Sequence, residues 1–108
     1  MRFATLAASV IFAAVGVVRA ADDRLLYTIP AGDSMDQFTA DFQALCSTWH
    51  PAIHGNSLTF LQALVEPGDF QGNNADTEAK IVCSWIDPDG KVSTFTKDVA
   101  ASLGATPA

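Results

Sequence analysis

The sequence predicts a small α+β domain in which a sheet of about four strands packs on one main helix, with a short C-terminal helix and one disulfide. Three observations lead to this prediction. Apolar residues recur at helical spacing between residues 34 and 49, a hairpin pattern occupies residues 79–96, and the chain contains two cysteines. Separate helical and strand periods are typical of α+β domains, and a chain of this length forms a single domain.

The first two elements are a strand and the main helix. LLYTIP, residues 25–30, is rich in β-prone residues and ends in a Pro-Ala-Gly turn signal. Ser34 stands three residues before Gln37, a capping-box spacing that predicts a helix start. The helix is predicted over residues 34–49 and ends before Pro51, because the residue that precedes a proline avoids helical geometry. Its predicted buried stripe consists of Met35, Phe38, Phe42, Leu45 and Trp49.

The segment from residue 57 to residue 66 is largely apolar on both faces, so its periodicity is compatible with a strand or a helix. Its phenylalanine and threonine and the stop at Pro67-Gly68 favour a buried central strand. Residues 66–78 are then a polar loop in which Phe70 is the one bulky apolar residue.

A β-hairpin is predicted for residues 79–96. AKIVCSWI, residues 79–86, alternates along a strand, and KVSTFT, residues 91–96, returns as its partner. The intervening Asp-Pro-Asp-Gly has proline and glycine where a tight turn needs them. The face predicted to contact the main helix carries Ile81, Cys83 and Trp85.

A short helix is predicted at the C-terminal end. Thr96 is expected to act as its N-cap, and the helix then covers residues 97–103. Gly104 follows as the stop signal.

The two cysteines, Cys46 and Cys83, are predicted to form a disulfide between the main helix and the hairpin. A domain of this size buries only about 60 to 65% of its unfolded surface, so its core is modest. Closing the loop between the two cysteines contributes roughly 4 kcal/mol in the chain-entropy model. The disulfide is therefore expected to supply a large part of the stability.

Two chemical alternatives use the same region. Cys46, His50, His54 and Cys83 could supply four zinc ligands, but Pro51 is expected to break the helix on which the histidines would share a face. Ser47 with a histidine and an aspartate could be drawn as a triad, but no nucleophile-elbow sequence surrounds any serine. The sequence thus predicts no catalytic residues, no metal and no cofactor.

The N-terminus has the features of a secretory signal peptide over residues 1–20. A positive start at Met1-Arg2 precedes an apolar run, and Val18-Arg19-Ala20 matches a cleavage site. The apolar run is shorter than the roughly 20 residues of a transmembrane helix. Residues 21–108 are therefore expected to be the mature, secreted domain.

The charge of this mature domain excludes several partner classes. After residue 20 the chain carries four cationic residues, namely Arg24, Lys80, Lys91 and Lys97, against all twelve acidic ones, a net charge of −8. Four scattered cations cannot neutralise a row of phosphates, so no nucleic-acid partner is expected. The same balance argues against binding to anionic membranes. We expect a monomer.

The layout of the chain resembles small secreted effector-type proteins of filamentous fungi. The resemblance rests on the leader MRFATLAASVIFAAVGVVRA, a mature chain below one hundred residues, and the single pair Cys46 and Cys83. It implies a compact, disulfide-bonded sheet whose loops bind host proteins. In the β-sandwich group of such proteins the first cysteine lies near the mature N-terminus, whereas Cys46 follows a predicted helix, so the sandwich fold is not carried over.

The predicted function is that of a secreted, non-catalytic interaction protein that binds a host or extracellular protein, outside the host cell or after translocation into it. The alternatives are a wall-carbohydrate binder or small enzyme inhibitor, and, less favoured, a hydrolase. A bulky aromatic residue in a polar loop is typical of a contact surface. The predicted contact residues are Asp69 and Phe70, with Tyr27 and Asp89 as other candidates that are expected to be exposed.

Overall fold

The computed structural model describes residues 23–54 and 57–108, so the predicted leader lies outside the described residues. The described elements confirm the predicted α+β fold. In chain order they are β1 (Leu25–Thr28), α1 (Met35–Ser47), α2 (His50–Ile53), β2 (Thr59–Pro67), β3 (Glu78–Ile86), β4 (Val92–Thr94), α3 (Thr96–Ser102) and β5 (Thr106–Pro107). Within these ranges, no helix is both long and apolar enough to cross a membrane.

The five strands form one antiparallel sheet around β3. One side of β3 pairs with β2, and the other side pairs first with β1 and then with β4. β5 extends the sheet beyond β1. The predicted hairpin is confirmed, since Ser84 pairs with Thr94 and Ile86 with Val92 across the turn.

The main helix begins as predicted, and its buried stripe is slightly rotated. The Ser34 hydroxyl oxygen accepts the N–H of Gln37 at 3.1 Å, which caps the first turn. The fully buried residues are Phe38, Phe42 and Cys46, whereas Met35, Leu45 and Trp49 are partly buried. The centre of the stripe therefore lies on the side of the helix that carries the disulfide.

The end of the helix differs from the prediction. α1 stops at Ser47, and His50–Ile53 form a separate single turn with Pro51 in its first positions. Proline is tolerated there because the first N–H groups of a helix have no intrahelical acceptor. Pro51 thus lies in the first turn of a second helix instead of only ending the first.

The core lies between α1, α3 and one face of the sheet. Cys46 and Cys83 form the predicted disulfide, with their Cα atoms 5.7 Å apart. The indole Nε1 of Trp85 donates to the carbonyl of Cys46 at 3.0 Å, next to this bond. Val99 and Ala100 of α3 complete the same apolar cluster. The covalent link and the hydrogen bond together fix the last turn of α1 against the central strand.

The strand predicted between residues 57 and 66 is present, but its predicted central position is wrong. Among the described strands β2 lies at the edge of the sheet, and five of its nine residues are exposed. A register shift lies between Phe60 and Gln62, and Phe60 packs edge-on against Trp85 with ring centroids 5.6 Å apart. Two apolar faces are typical of an interior strand. Amino-acid composition does not show, however, whether a second strand pairs with each edge.

The C-terminal helix is confirmed, but Thr96 is not its N-cap. The helix covers Thr96–Ser102 with Phe95 at the cap position. The buried hydroxyl oxygen of Thr96 accepts the backbone N–H of Cys83 at 2.9 Å, where β4 has ended and no strand partner remains. Gly104 follows with a φ of +84°, which suits the predicted helix stop.

Candidate partner-binding loop

The loop between β2 and β3, residues 68–77, carries two of the predicted contact residues. Its ends are joined by a hydrogen bond from the N–H of Gly68 to the carbonyl of Glu78 at 2.7 Å. A second bond runs from the N–H of Asp69 to the carbonyl of Asn73 at 2.8 Å. Backbone hydrogen bonds therefore close the loop at its base and again at its tip.

Asp69 shapes the tip of this loop. Its Oδ1 accepts the N–H groups of Gln71 and Asn73, both at 2.9 Å. The N–H of Gly72 also bonds to the Asp69 carbonyl at 2.9 Å, and Gly72 has a φ of +85°, a conformation that glycine adopts without strain. Asp69 thus uses one carboxylate oxygen to hold the backbone that follows Phe70.

Lys80, in the adjoining strand β3, holds the start of the loop through its side chain. Its side chain reaches back along β3, and its Nζ donates to the carbonyls of Gly68 at 2.7 Å and Asp69 at 2.9 Å. The residue is only 8% exposed. Charge-assisted bonds from a lysine ammonium to two successive carbonyls restrain the start of the loop more firmly than neutral bonds would.

Phe70 occupies the tip and is 51% exposed. The guanidinium carbon of Arg24 lies 5.2 Å from its ring centroid, and the Nζ of Lys80 lies 5.9 Å from it. The Arg24 guanidinium also pairs with Glu66, with Nη1 2.7 Å from Oε1. The two cations lie within the range of cation–π attraction, so the ring is held in place while half of it faces solvent.

Tyr27 is buried, so its predicted exposure is wrong. It is 5% exposed and lies opposite Ala79 in the register between β1 and β3, within the core cluster. Successive strand residues point to opposite sides, and the phase of this short strand directs Tyr27 to the helices. Tyr27 is a core residue.

Asp89 is exposed, as predicted, but it lies away from Phe70. It is in the β3–β4 turn, where its N–H donates to Oδ1 of Asp87 at 2.9 Å. This turn and the loop that carries Phe70 lie at opposite ends of the nine-residue strand β3, about 30 Å apart. The structure therefore brings together Asp69 and Phe70 but not Asp89.

The region of the two histidines differs from the prediction. The sulfurs of Cys46 and Cys83 are joined in the disulfide. The single turn of α2 brings the rings of His50 and His54 into a stack with centroids 3.8 Å apart, so the expected separation by Pro51 is wrong. In the part of the chain that the structure describes, no three metal-binding side chains gather in one place.

Sequence reasoning missed the residues that support Phe70, namely Arg24, Glu66 and Lys80. One signal was present: Lys80 is the only charge inside the apolar run 79–86. A lysine in such a strand needs acceptors, and the preceding loop is the nearest source of free carbonyls.

A second exposed apolar surface lies beside the edge strand. Phe60 and Leu61 are 39% and 46% exposed. They border a groove of about 460 Å³ between α1 and β2. The groove is lined by Gln43, Ser47, Phe60, Leu61, Gln62 and Ala63, all of them uncharged.

Comparisons with known proteins give no match for this chain. No protein-family model, no curated protein and no solved structure is significantly similar to it.

Proposed function

We propose that this chain is a small, secreted, non-catalytic interaction protein of the effector type known from filamentous fungi, and that it binds a host or extracellular protein as a monomer. The observation that carries the proposal is a loop whose backbone is held by hydrogen bonds from Asp69 and Lys80 and whose tip exposes half of an aromatic side chain. The disulfide suits an oxidising, extracellular compartment. Translocation into a host cell after secretion is compatible with the same architecture.

Rigidity supports a binding role because ordering a loop opposes association. Hydrogen bonds of Asp69, Lys80 and Gly72 restrain the backbone around Phe70 before any partner arrives. Less conformational entropy is then lost when the complex forms. A large side chain displayed on such a loop is typical of the few residues that dominate the affinity of an interface.

The charged groups around Phe70 favour binding over catalysis. Arg24 and Glu66 pair with each other, Lys80 donates to two carbonyls, and Asp69 accepts two backbone N–H groups. General acid–base catalysis needs a group that can reach the proton of a substrate. These groups are instead bonded to each other or to the backbone of the loop.

The test compares two exposed apolar residues of similar accessibility. Phe70→Ser removes the ring at the loop tip, whereas Val92→Ser removes a side chain that is 46% exposed on β4. The oxidised residues 21–108 and both variants are used for affinity capture from host extracellular and cytosolic extracts. We expect one partner to be retained by the unmodified protein and by Val92→Ser, and to bind Phe70→Ser at least tenfold more weakly.

The variants must first show circular dichroism spectra and urea midpoints close to those of the unmodified protein. Phe70→Leu, which keeps apolar volume but loses the aromatic ring, then separates packing from cation–π contacts. Equal capture by Phe70→Ser and the unmodified protein would reject the loop as the contact surface. Retention on chitin or glucan, without any retained protein, would favour the carbohydrate-binding alternative.

A further inference from the structure

We propose that the outer edge of β2 binds an extended segment of a partner polypeptide, which adds a strand to the sheet, and that this segment is apolar in its middle and cationic at its ends. The inference rests on the proposed function in one respect, since it takes the partner to be a protein. It concerns a different surface from the Phe70 loop. No described strand pairs with this edge of β2.

The hydrogen bonds around β3 fix which backbone groups of β2 face outward. The backbone N–H of Gly68 donates to the carbonyl of Glu78, and the register of the two strands places these residues opposite each other. They are therefore a hydrogen-bonded pair. Bonded and non-bonded pairs alternate in antiparallel strands, so Leu64 and Glu66 direct their backbone groups to β3. Ala63 and Val65 therefore direct their N–H and carbonyl groups to the outer edge, away from β3.

The hydrogen bonds on the other side of β3 independently show which of its residues direct their backbone groups towards β2. Ile29 donates to the carbonyl of Thr77, and Phe95 donates to the carbonyl of Cys83. Odd-numbered residues of β3 therefore bond towards β1 and β4, and even-numbered residues bond towards β2.

The composition of β2 is that of an interior strand. Its nine residues, TFLQALVEP, contain a single charge, Glu66, which Arg24 already pairs at 2.7 Å. Edge strands commonly carry charged or strongly polar side chains that prevent pairing with other chains. A strand added at the outer edge would place β2 in the interior position that its sequence fits.

Two features limit the length of the added segment. The register shift between Phe60 and Gln62 interrupts the regular edge at one end. Pro67, which has no N–H to donate, closes it at the other end. About five residues, 62–66, can therefore pair regularly with a partner strand.

The adjoining groove and the net charge define the chemistry of the partner. The groove beside Phe60 and Leu61 is lined only by uncharged side chains, so it suits an apolar side chain of the added segment. The whole chain has a formal net charge of −6, which attracts a segment with lysine or arginine at its ends. The same charge disfavours a second copy of this chain as the occupant.

The test uses a defined peptide of alternating valine and threonine with two lysines at each end. It is titrated into the oxidised, isotope-labelled protein, and the backbone amide resonances are followed by NMR. Strand addition should shift the amides of Ala63 and Val65 most and should slow their hydrogen exchange, because both N–H groups gain acceptors. A peptide with N-methyl groups on alternate residues should bind at least about tenfold more weakly, since it cannot complete the ladder.

Matched variants and peptides locate the interaction. Val65→Pro removes an outward N–H without touching a bond to β3, and Val65→Thr keeps that N–H; only the first should weaken binding, by about five- to tenfold. A peptide with glutamates in place of the lysines should bind more weakly at low salt. Equal binding of the N-methylated peptide, or shifts confined to other regions, would overturn the proposal.

Self-association would also overturn it. If the free protein dimerises with rising concentration and protects the same two amides, the occupant is a second copy. If the peptide fails to bind while capture still depends on Phe70, the proposed function stands without this edge. If the peptide binds but capture of the partner does not change in Phe70→Ser, strand addition at β2 is supported and the loop is rejected as the contact surface.

Discussion

The loops at the two ends of β3 have the same backbone design and present different side chains. In DFQGN, residues 69–73, the first aspartate accepts the N–H groups of the third and fifth residues through Oδ1. In DPDGK, residues 87–91, Asp87 does the same with Asp89 and Lys91 at 2.9 and 2.8 Å. The glycine at the fourth position has a φ of +85° in one loop and +86° in the other.

The two loops share the residues that form the turn and differ in the side chains that they expose. Phe70 stands at the second position of the first loop, where the other loop has Pro88. The first loop also has a support that the second lacks among the described contacts, namely the ammonium of Lys80 on two carbonyls. The shared aspartate and glycine form the turn, whereas Phe70 and its cationic support distinguish the candidate site.

The largest expected effect comes from the scaffold that both loops share. Replacing both cysteines, Cys46→Ser with Cys83→Ser, should lower the free energy of unfolding by about 4 kcal/mol, because the unfolded chain gains the entropy of an open 37-residue loop. Urea unfolding measures this loss. Amide exchange in both loops should accelerate together, and acceleration in one loop alone would show that the two do not depend on one cooperative unit.

Lys80 provides the sharpest distinction between the loops. Lys80→Met should cost about 2 to 3 kcal/mol, since the carbonyls of Gly68 and Asp69 lose a charged donor. Lys91→Met, at an exposed position of the other loop, should change stability by no more than about 0.5 kcal/mol. Urea midpoints of the two variants make the comparison, and similar losses would contradict a special role for Lys80.

The two aspartates should behave alike. Asp69→Ala and Asp87→Ala should each cost about 1.5 kcal/mol, because each removes the acceptor of two backbone N–H groups. The asparagine variants keep a side-chain oxygen and should recover most of the loss. Thermal unfolding of all four proteins tests the equivalence, which fails if one alanine variant is neutral and the other is not.

Among the residues that shape both turns, the two glycines have the smallest expected effect. Gly72→Ala and Gly90→Ala should each cost about 1 kcal/mol, because an added Cβ meets nothing within 4 Å and only the positive φ opposes it. Gly32→Ala, with the same φ and open surroundings in another turn, is the matched control. Denaturant titrations should give three similar losses, and a much larger loss at Gly72 would indicate an unrecognised contact at the candidate loop.

The sequence predicted the elements whose signals are local. The cap at Ser34, the apolar spacing of α1 and the Asp-Pro-Asp-Gly turn each depend on residues a few positions apart, and these elements are confirmed. The disulfide followed from there being only two cysteines in a chain with a predicted signal peptide.

The incorrect predictions concern contacts between distant residues. The edge position of β2 depends on which strand lies beside β3, and no local pattern states this. Thr96 has the sequence position of an N-cap. Its hydroxyl oxygen instead accepts the backbone N–H of Cys83, an N–H group that has no partner among the described strands. The burial of Tyr27 depends on the phase of a four-residue strand, too short for alternation to define.

The candidate site was predicted only at its tip. Phe70 was recognisable as an aromatic residue in a polar loop, and Asp69 stands beside it. Arg24 and Glu66 are 42 residues apart, so their pairing could not be inferred from spacing.

The position of the disulfide determines whether a single proteolytic cut in each loop leaves the two fragments covalently joined. Cys46 and Cys83 enclose β2 and the whole of residues 68–77, but not residues 87–91. A protease that cuts once beside Phe70 leaves two fragments joined by the disulfide, so the nicked protein remains one molecule. A cut beside Pro88 leaves β4 and α3 attached by non-covalent packing alone.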